Sequence, residues 1–117
     1  MKKSLEQVAK ADGRYNPKAM KFVYEGLGFT VEKYYGEPGH VSGQKLCEGL
    51  GELAISKWGR LAMLVLAEWG VHCTEDFGEI VYLMIDNQWM NAQPDDTKED
   101  FIKVYDFEKF FKRRFVF

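Results

Sequence analysis

The chain has 117 residues, of which 46% are hydrophobic, 15% aromatic and 29% charged. This length suits one domain with one hydrophobic core, and the composition excludes an intrinsically disordered chain. The formal net charge of −2 gives no overall attraction to nucleic-acid phosphates or anionic lipid, so such binding would need a local basic patch. We therefore expect a single compact domain over residues 1–117.

No segment reads as a membrane span or a secretion signal. The longest uncharged apolar run, Leu61 to Ala67, is far shorter than the roughly 20 residues that cross a bilayer. The residues after Met1 lack the apolar stretch of a signal peptide. The two cysteines, Cys47 and Cys73, form neither a C-x-x-C pair nor a disulfide framework. These features predict a soluble, cytoplasmic protein with no membrane span.

Local signals in the first third of the chain predict two helices. Ser4 and Gln7 have the spacing of a capping box, and Gly13 is placed to end the short helix that follows. Asn16-Pro17 supplies an N-cap and a first-turn proline for a longer second helix. Residues 29–35 would also suit a short strand, but their apolar spacing favours helix.

The middle of the chain predicts two further helices beyond a turn at residues 36–39. Ser42 is placed to cap a helix with one apolar stripe, which Gly59 ends. The next segment, Arg60–Trp69, is apolar on nearly every side, as helices are when neighbours cover all their faces. We therefore predict that this segment is the central helix.

Thr74 begins another predicted helix, and Asp106 is placed to cap a short last one. Between them, residues 89–93 and 101–105 flank a turn and could pair as a hairpin, or form a loop with a helical turn. The fold class is therefore mainly α: a compact single-domain bundle of about five to six helices. With a small C-terminal hairpin, the order of elements would be winged-helix-like.

Charge is unevenly distributed along the sequence. Between Leu61 and Thr97 there are several carboxylates but no Lys or Arg. These acids are either ordinary solvated helix surface or a docking face for a basic partner. The candidate protein-contact residues are Glu75, Asp76, Glu79 and Asp86. The leading hypothesis is thus a non-enzymatic interaction module that uses an acidic surface around residues 75–96 to bind an unknown protein or a second copy of itself.

A basic, aromatic segment ends the sequence. Lys109, Lys112, Arg113 and Arg114 are interleaved with phenylalanines, a composition typical of nucleic-acid-binding and membrane-surface segments. It is equally typical of a terminal helix that packs its rings and leaves its lysines in water, which we favour. A winged-helix-like nucleic-acid-binding protein using this tail is the first alternative. The acidic helix that begins at Thr74 argues against nucleic acid, because it would meet phosphates with carboxylates.

His72 and Cys73 are weaker candidates for metal ligation or nucleophilic catalysis. Adjacent residues seldom direct their side chains to one point, and a turn with an exposed His and a small buried Cys explains the same residues. A small metal-binding protein or enzyme at this position is the second alternative, and no cofactor is predicted.

Two other patterns have a structural interpretation. Residues 49–54 fit the G-x-G-x-x-A string of dinucleotide-binding loops, but they fall inside a predicted helix, where Gly49 would let a neighbouring helix approach closely. We interpret Trp58, Trp69 and Trp89 as core residues rather than ligand-stacking ones.

Two segments of the sequence resemble those of a known group of proteins. They are residues 40–46 (H-V-S-G-Q-K-L) and residues 69–81 (W-G-V-H-C-T-E-D-F-G-E-I-V). The chain resembles a family of uncharacterised proteins restricted to Verrucomicrobia and Planctomycetes. The resemblance covers nearly the whole chain, including the late residues 100–107. It implies no catalytic, cofactor-binding or partner-binding residue, so the functional hypotheses depend on the residues themselves.

Overall fold

The computed structural model describes residues 2–34, 41–91 and 96–113. Over these residues the chain is helical, with no strand, which confirms the predicted helical bundle. The α-helices are α1 (Leu5–Asp12), α2 (Pro17–Tyr34), α3 (Gly43–Trp58), α4 (Ala62–Glu68), α5 (Thr74–Asp86) and α6 (Phe107–Arg113). Two 3-10 helices are also present, η1 (Gly59–Leu61) and η2 (Lys98–Phe101). None of the helices in these ranges is long and apolar enough to cross a membrane.

The predicted helix ends are confirmed where local side chains define them. Gln7 N donates to Ser4 Oγ at 3.1 Å, and Ser4 N donates to Gln7 Oε1 at 2.9 Å, which completes the capping box. Gly13 ends α1 with a φ of +85°, a conformation that glycine adopts without steric cost. Residues 29–34 are helical rather than extended, whereas the turn predicted at 36–39 lies outside the described residues.

Small residues let α2 and α3 pack closely. A Cβ atom at Gly49 would overlap the side chain of Thr30, and one at Gly26 would overlap Leu50. The buried Thr30 hydroxyl donates to Gly26 O at 2.7 Å, so this polar group has a hydrogen-bond partner although it lies between α2 and α3. Gly49 therefore has the helix-packing role predicted for it, because it lies inside α3 and not in a phosphate-binding loop.

The prediction that residues 60–69 form the central helix is wrong. Only Ala62 and Leu66 of α4 are buried, whereas Leu61 and Leu64 are each 59% exposed. A sequence that is apolar on all sides does not specify which side is covered, and here the neighbouring helices cover one. The central position belongs to α3, which packs against α2, α4, α5, α6 and both 3-10 helices. Helix α5 has one well-buried side, where Phe77 is completely buried.

Residues 97–104, which we call the η2 segment, pack on two glycines. A Cβ atom at Gly43 of α3 would lie only 2.8 Å from Asp100 Cβ, and one at Gly78 of α5 would lie 2.8 Å from Phe101 Cβ. Both distances are shorter than a normal van der Waals contact. The missing side chains therefore allow the η2 segment to lie against α3 and α5, with Phe101 buried beneath it.

The fully buried Thr74 side chain fixes this arrangement. Its hydroxyl donates to Phe101 O at 2.7 Å and accepts from Val104 N at 3.2 Å. Outside residues 92–95, which are not described, the region from 89 to 105 contains η2 and no strand. The hairpin alternative is therefore not found in the described region. Because a winged helix uses such a hairpin as its wing, no wing is found there either.

The last helix packs its aromatic face onto the domain, as predicted. Lys109 N donates to Asp106 Oδ1 at 3.0 Å, which confirms the cap. Phe107 and Phe111 are buried, and Phe110 stacks on Tyr105 with ring centroids 4.1 Å apart.

Candidate functional site

The acidic candidates on α5 differ in their surroundings. Glu75, Glu79 and Asp86 share one side of the helix, because their spacing follows the helical repeat. Glu79 lies between two cations: its Oε1 is 3.2 Å from Arg14 Nη1 and 3.2 Å from Lys98 Nζ. These partners come from other elements of the fold. The surface that appears purely acidic in the sequence is therefore partly neutralised at its middle.

The charges around Glu79 also alter its titration. Hydrogen bonds from Lys98 and Arg14, in that order of effect, hold the pKa of Glu79 below its usual value despite some desolvation. Arg14 also pairs with Asp12 at 2.9 Å and lowers the pKa of that carboxyl. Through Arg14, ion pairs therefore connect the loop between α1 and α2 to α5.

Asp76 is a structural residue rather than a free surface carboxylate. Its Oδ1 accepts a hydrogen bond from the Tyr15 hydroxyl at 2.6 Å, and its Oδ2 accepts from His72 N at 2.8 Å. Burial and this hydrogen bond raise the pKa of Tyr15 well above its usual value. Asp76 therefore joins the turn before α5 to the loop between α1 and α2, and its oxygens are already engaged within the fold.

The structure leaves Glu75 and Asp86 as the candidates nearer the two ends of this surface. Glu75 is half-buried, whereas Asp86 is exposed and has no ion pair within the described residues. Of the four residues predicted to contact a partner, Asp86 is thus the most accessible.

His72 and Cys73 lie at a shallow cavity of about 420 Å³. The exposed His72 and the half-buried Cys73 are joined there by Glu75, Lys103, Tyr105, Asp106 and Phe107. Burial and the nearby Asp76 carboxylate raise the pKa of the Cys73 thiol, although a hydrogen bond opposes them, and this disfavours the nucleophilic thiolate. No three His, Cys, Asp or Glu side chains converge to hold a metal ion in the described part of the chain. The distant Cys47 is completely buried, and burial raises its pKa strongly.

Among the basic residues near the end of the sequence, the structure describes the side chains of Lys109 and Lys112. Lys112 Nζ lies 2.7 Å from Glu108 Oε1, an ion pair within the helix, and Lys109 is exposed. The side chain of Arg113 and all of Arg114 lie outside the described residues.

A second cavity, which sequence reasoning missed, lies between α2, the start of α3, α5 and the η2 segment. Its volume is about 480 Å³, and we call it the cleft. Its apolar wall consists of Leu27, Val41, Leu46, Val81, Ile85, Met90 and Phe101. Its polar lining consists of Tyr82, Asn91, Asp96, Thr97 and Asp100. Since the wall comes from four elements far apart in the sequence, no single motif predicts it.

Tyr82 is the unusual residue of the cleft. Its hydroxyl is buried and has no hydrogen-bond partner in the described structure. Burial, together with the negative charges of Asp96 and Asp100, raises the pKa of this phenol. The nearby Lys98 ammonium lies 5.9 Å from the centre of the Tyr82 ring and pairs with Glu79. Buried polar groups in native proteins are nearly always hydrogen-bonded, so the Tyr82 hydroxyl is an exception to this rule.

No known protein family, curated protein or solved structure matches this chain. The resemblance inferred from residues 40–46 and 69–81 therefore stays a prediction.

The structure does assign packing roles to residues 69–81, the second of these motifs. Gly70 has a φ of +93° and no room for a side chain beside Arg14 O, and Gly78 contacts Phe101. Together with the hydrogen bonds of Thr74 and Asp76, this motif builds the turn and the start of α5.

Proposed function

We propose that this protein is a non-enzymatic interaction module that binds a basic protein partner through the acidic surface of α5. The supporting observation is the outer face of α5, where Glu75, Glu79 and Asp86 align at helical spacing on a helix with no Lys or Arg. Such a surface attracts a positively charged partner and accelerates its association more than it raises the final affinity.

The ion pairs of Glu79 suggest how a partner would engage. Arg14 and Lys98 already satisfy this carboxylate from two sides. A cationic side chain of the partner can replace one of them, because exposed ion pairs have a small net free energy and exchange readily. Asp86 offers a carboxylate that needs no such exchange.

Affinity purification from native extract with matched variants tests this proposal. Asp86→Lys combined with Glu75→Gln removes two of the three proposed contacts and places a positive charge on the surface, and it leaves Asp76 and Glu79 with their structural partners. Glu68→Lys reverses a charge on α4 and serves as the control. We expect one basic protein to be retained by the wild type and by Glu68→Lys, and to be lost from the double variant.

Two further conditions make the result decisive. Retention of the partner must persist after nuclease treatment, and its association rate must fall as the salt concentration rises. A partner retained equally by the double variant would contradict the acidic-surface proposal. Material lost on nuclease treatment would favour nucleic-acid binding instead.

A further inference from the structure

The cleft has the size and lining of a site for a small molecule. Its volume of about 480 Å³ falls within the range of roughly 300–1,000 Å³ that small-molecule sites occupy. Its apolar wall includes the buried side chains of Leu46, Val81 and Met90. An apolar molecule placed there would remove both its own surface and this wall from water, which is the main favourable contribution to such binding.

The charges around the cleft select the polar end of a ligand. Asp96 and Asp100 line it, and no Lys or Arg does so among the described residues. Asp100 accepts one hydrogen bond at Oδ2 from Thr97 N, at 3.3 Å. An ionised carboxylate has about four lone-pair sites, so this bond leaves most of its capacity unused. The Lys98 ammonium, 5.9 Å from the centre of the Tyr82 ring, pairs with Glu79 and is not part of the lining, so the lining carboxylates favour a cation and repel a carboxylate or phosphate.

Tyr82 adds a second polar group at the same place. Tyr82 lines the cleft, and its hydroxyl is buried without a hydrogen-bond partner in the described structure. A phenol oxygen can accept a hydrogen bond from an ammonium group while its own hydrogen remains free to donate, so a small movement of the ring would give this hydroxyl a partner in the ligand. Asp100 of η2 and Tyr82 of α5 line the same cavity, and the Asp100 charge is close enough to act on the Tyr82 phenol.

We propose that the cleft binds a small organic amine whose protonated ammonium group is held by Asp100 beside Tyr82 and whose apolar body lies on the wall formed by Leu46 and Val81. This site is independent of the protein partner proposed above, because neither Glu75 nor Asp86 lines the cleft. The ligand is recognised by two features together, a positive charge and an apolar body.

Three probes with one apolar body and different polar ends test the proposal. Phenylbutylamine, phenylbutanol and phenylbutyrate are titrated at neutral pH into ¹⁵N-labelled full-length protein, and amide shifts are followed by NMR. We expect saturable shifts around Leu46, Val81 and Ile85 with the amine. The alcohol should bind about tenfold more weakly, because its neutral hydroxyl lacks the attraction between an ammonium charge and the Asp100 carboxylate. The carboxylate should not saturate.

Variants assign the selectivity to residues. Asp100→Asn keeps an oxygen that can accept from Thr97 N but removes the charge, so it should weaken amine binding about tenfold and alcohol binding by much less. Tyr82→Phe should weaken amine binding less. Asp86→Asn, on the exposed side of α5, is the matched control and should have no effect.

The proposal is overturned if the carboxylate binds as tightly as the amine, if shifts with the amine map away from the cleft, or if folded Asp100→Asn keeps the preference for the amine. Should Asp100→Asn fail to fold, the comparison of the three probes on the wild type, with Tyr82→Phe, decides the question alone. Because no macromolecule is present, failure here would leave the proposed protein partner unaffected.

Discussion

Helices α4 and α5 follow one another in the chain and are both rich in apolar residues, yet they have opposite places in the fold. Phe77, Ile80 and Met84 of α5 are completely buried, whereas Leu61, just before α4, and Leu64 within it are each 59% exposed. The two helices differ in pattern rather than in apolar content. A helix with one polar side has a defined direction in which to be buried, and a helix that is apolar on all sides has none.

The largest expected effect on stability comes from removing a large side chain from each helix and comparing the two losses. Phe77→Ala should lower the free energy of unfolding by about 3–5 kcal/mol, because it leaves a cavity in a packed core. Leu64→Ala should change it by no more than about 0.5 kcal/mol. Urea denaturation of both variants, followed by circular dichroism, measures the two values. Similar losses would mean that α4 is as central as its composition predicts.

A smaller effect is expected from the hydroxyl that joins α5 to the η2 segment. Thr74→Val keeps the shape of the side chain but removes the partner of Phe101 O and Val104 N. Buried polar groups without a partner cost about 1–3 kcal/mol, so stability should fall by this amount. Thr74→Ser retains the hydroxyl and is the control. Equal denaturation midpoints for the wild type and Thr74→Val would show that these hydrogen bonds contribute nothing.

The ion pairs of Glu79 predict a dependence on pH. Its pKa is lower in the folded protein than the usual value of 4.5, so the stabilisation is present above that value and is lost as pH falls through the lowered pKa. Glu79→Gln should therefore be less stable than the wild type at pH 7, by up to about 1 kcal/mol for exposed pairs. The difference should vanish in acid. Glu68→Gln on α4 is the control, and a difference that persisted in acid would rule out this origin.

The smallest effect should come from giving α4 the polar side that it lacks. Combining Leu61→Gln and Leu64→Gln replaces exposed leucines without touching the buried Ala62 and Leu66. Each change should alter the free energy of unfolding by less than about 0.5 kcal/mol. Thermal denaturation of the double variant checks this. A large loss would show that the two leucines are covered in solution, for instance by a second copy of the chain.

Local chemistry made most of the helix boundaries predictable. The Ser4 and Ser42 caps, the stop at Gly13 and the cap at Asp106 all depend on residues within a few positions of one another. Such signals act before the chain folds, so the sequence contains them directly. The preference for helix over strand at residues 29–34 was also correct, and it came from the helical spacing of the apolar residues.

The candidate sites were harder to predict because they depend on residues brought together from distant parts of the chain. The cations that pair with Glu79 come from the loop after α1 and from η2. Asp76 shares its sequence neighbourhood with the surface acids, but its hydrogen bond to Tyr15 makes it structural. The cleft requires four elements and the absence of side chains at Gly43 and Gly78. Charge patterns along the sequence show none of these three-dimensional relations.

The packing of the η2 segment has a consequence for local opening of the fold. The segment contacts α3 and α5 through residues distant in the sequence, so its docking has a larger loop-closure cost than the packing of neighbouring helices. Local opening of this segment alone would leave the other helices packed. Such an opening would carry Asp100 and Phe101 away from the cleft and release the Val104 amide from Thr74. Hydrogen exchange at that one amide would then report both the integrity of the segment and the occupancy of the cleft.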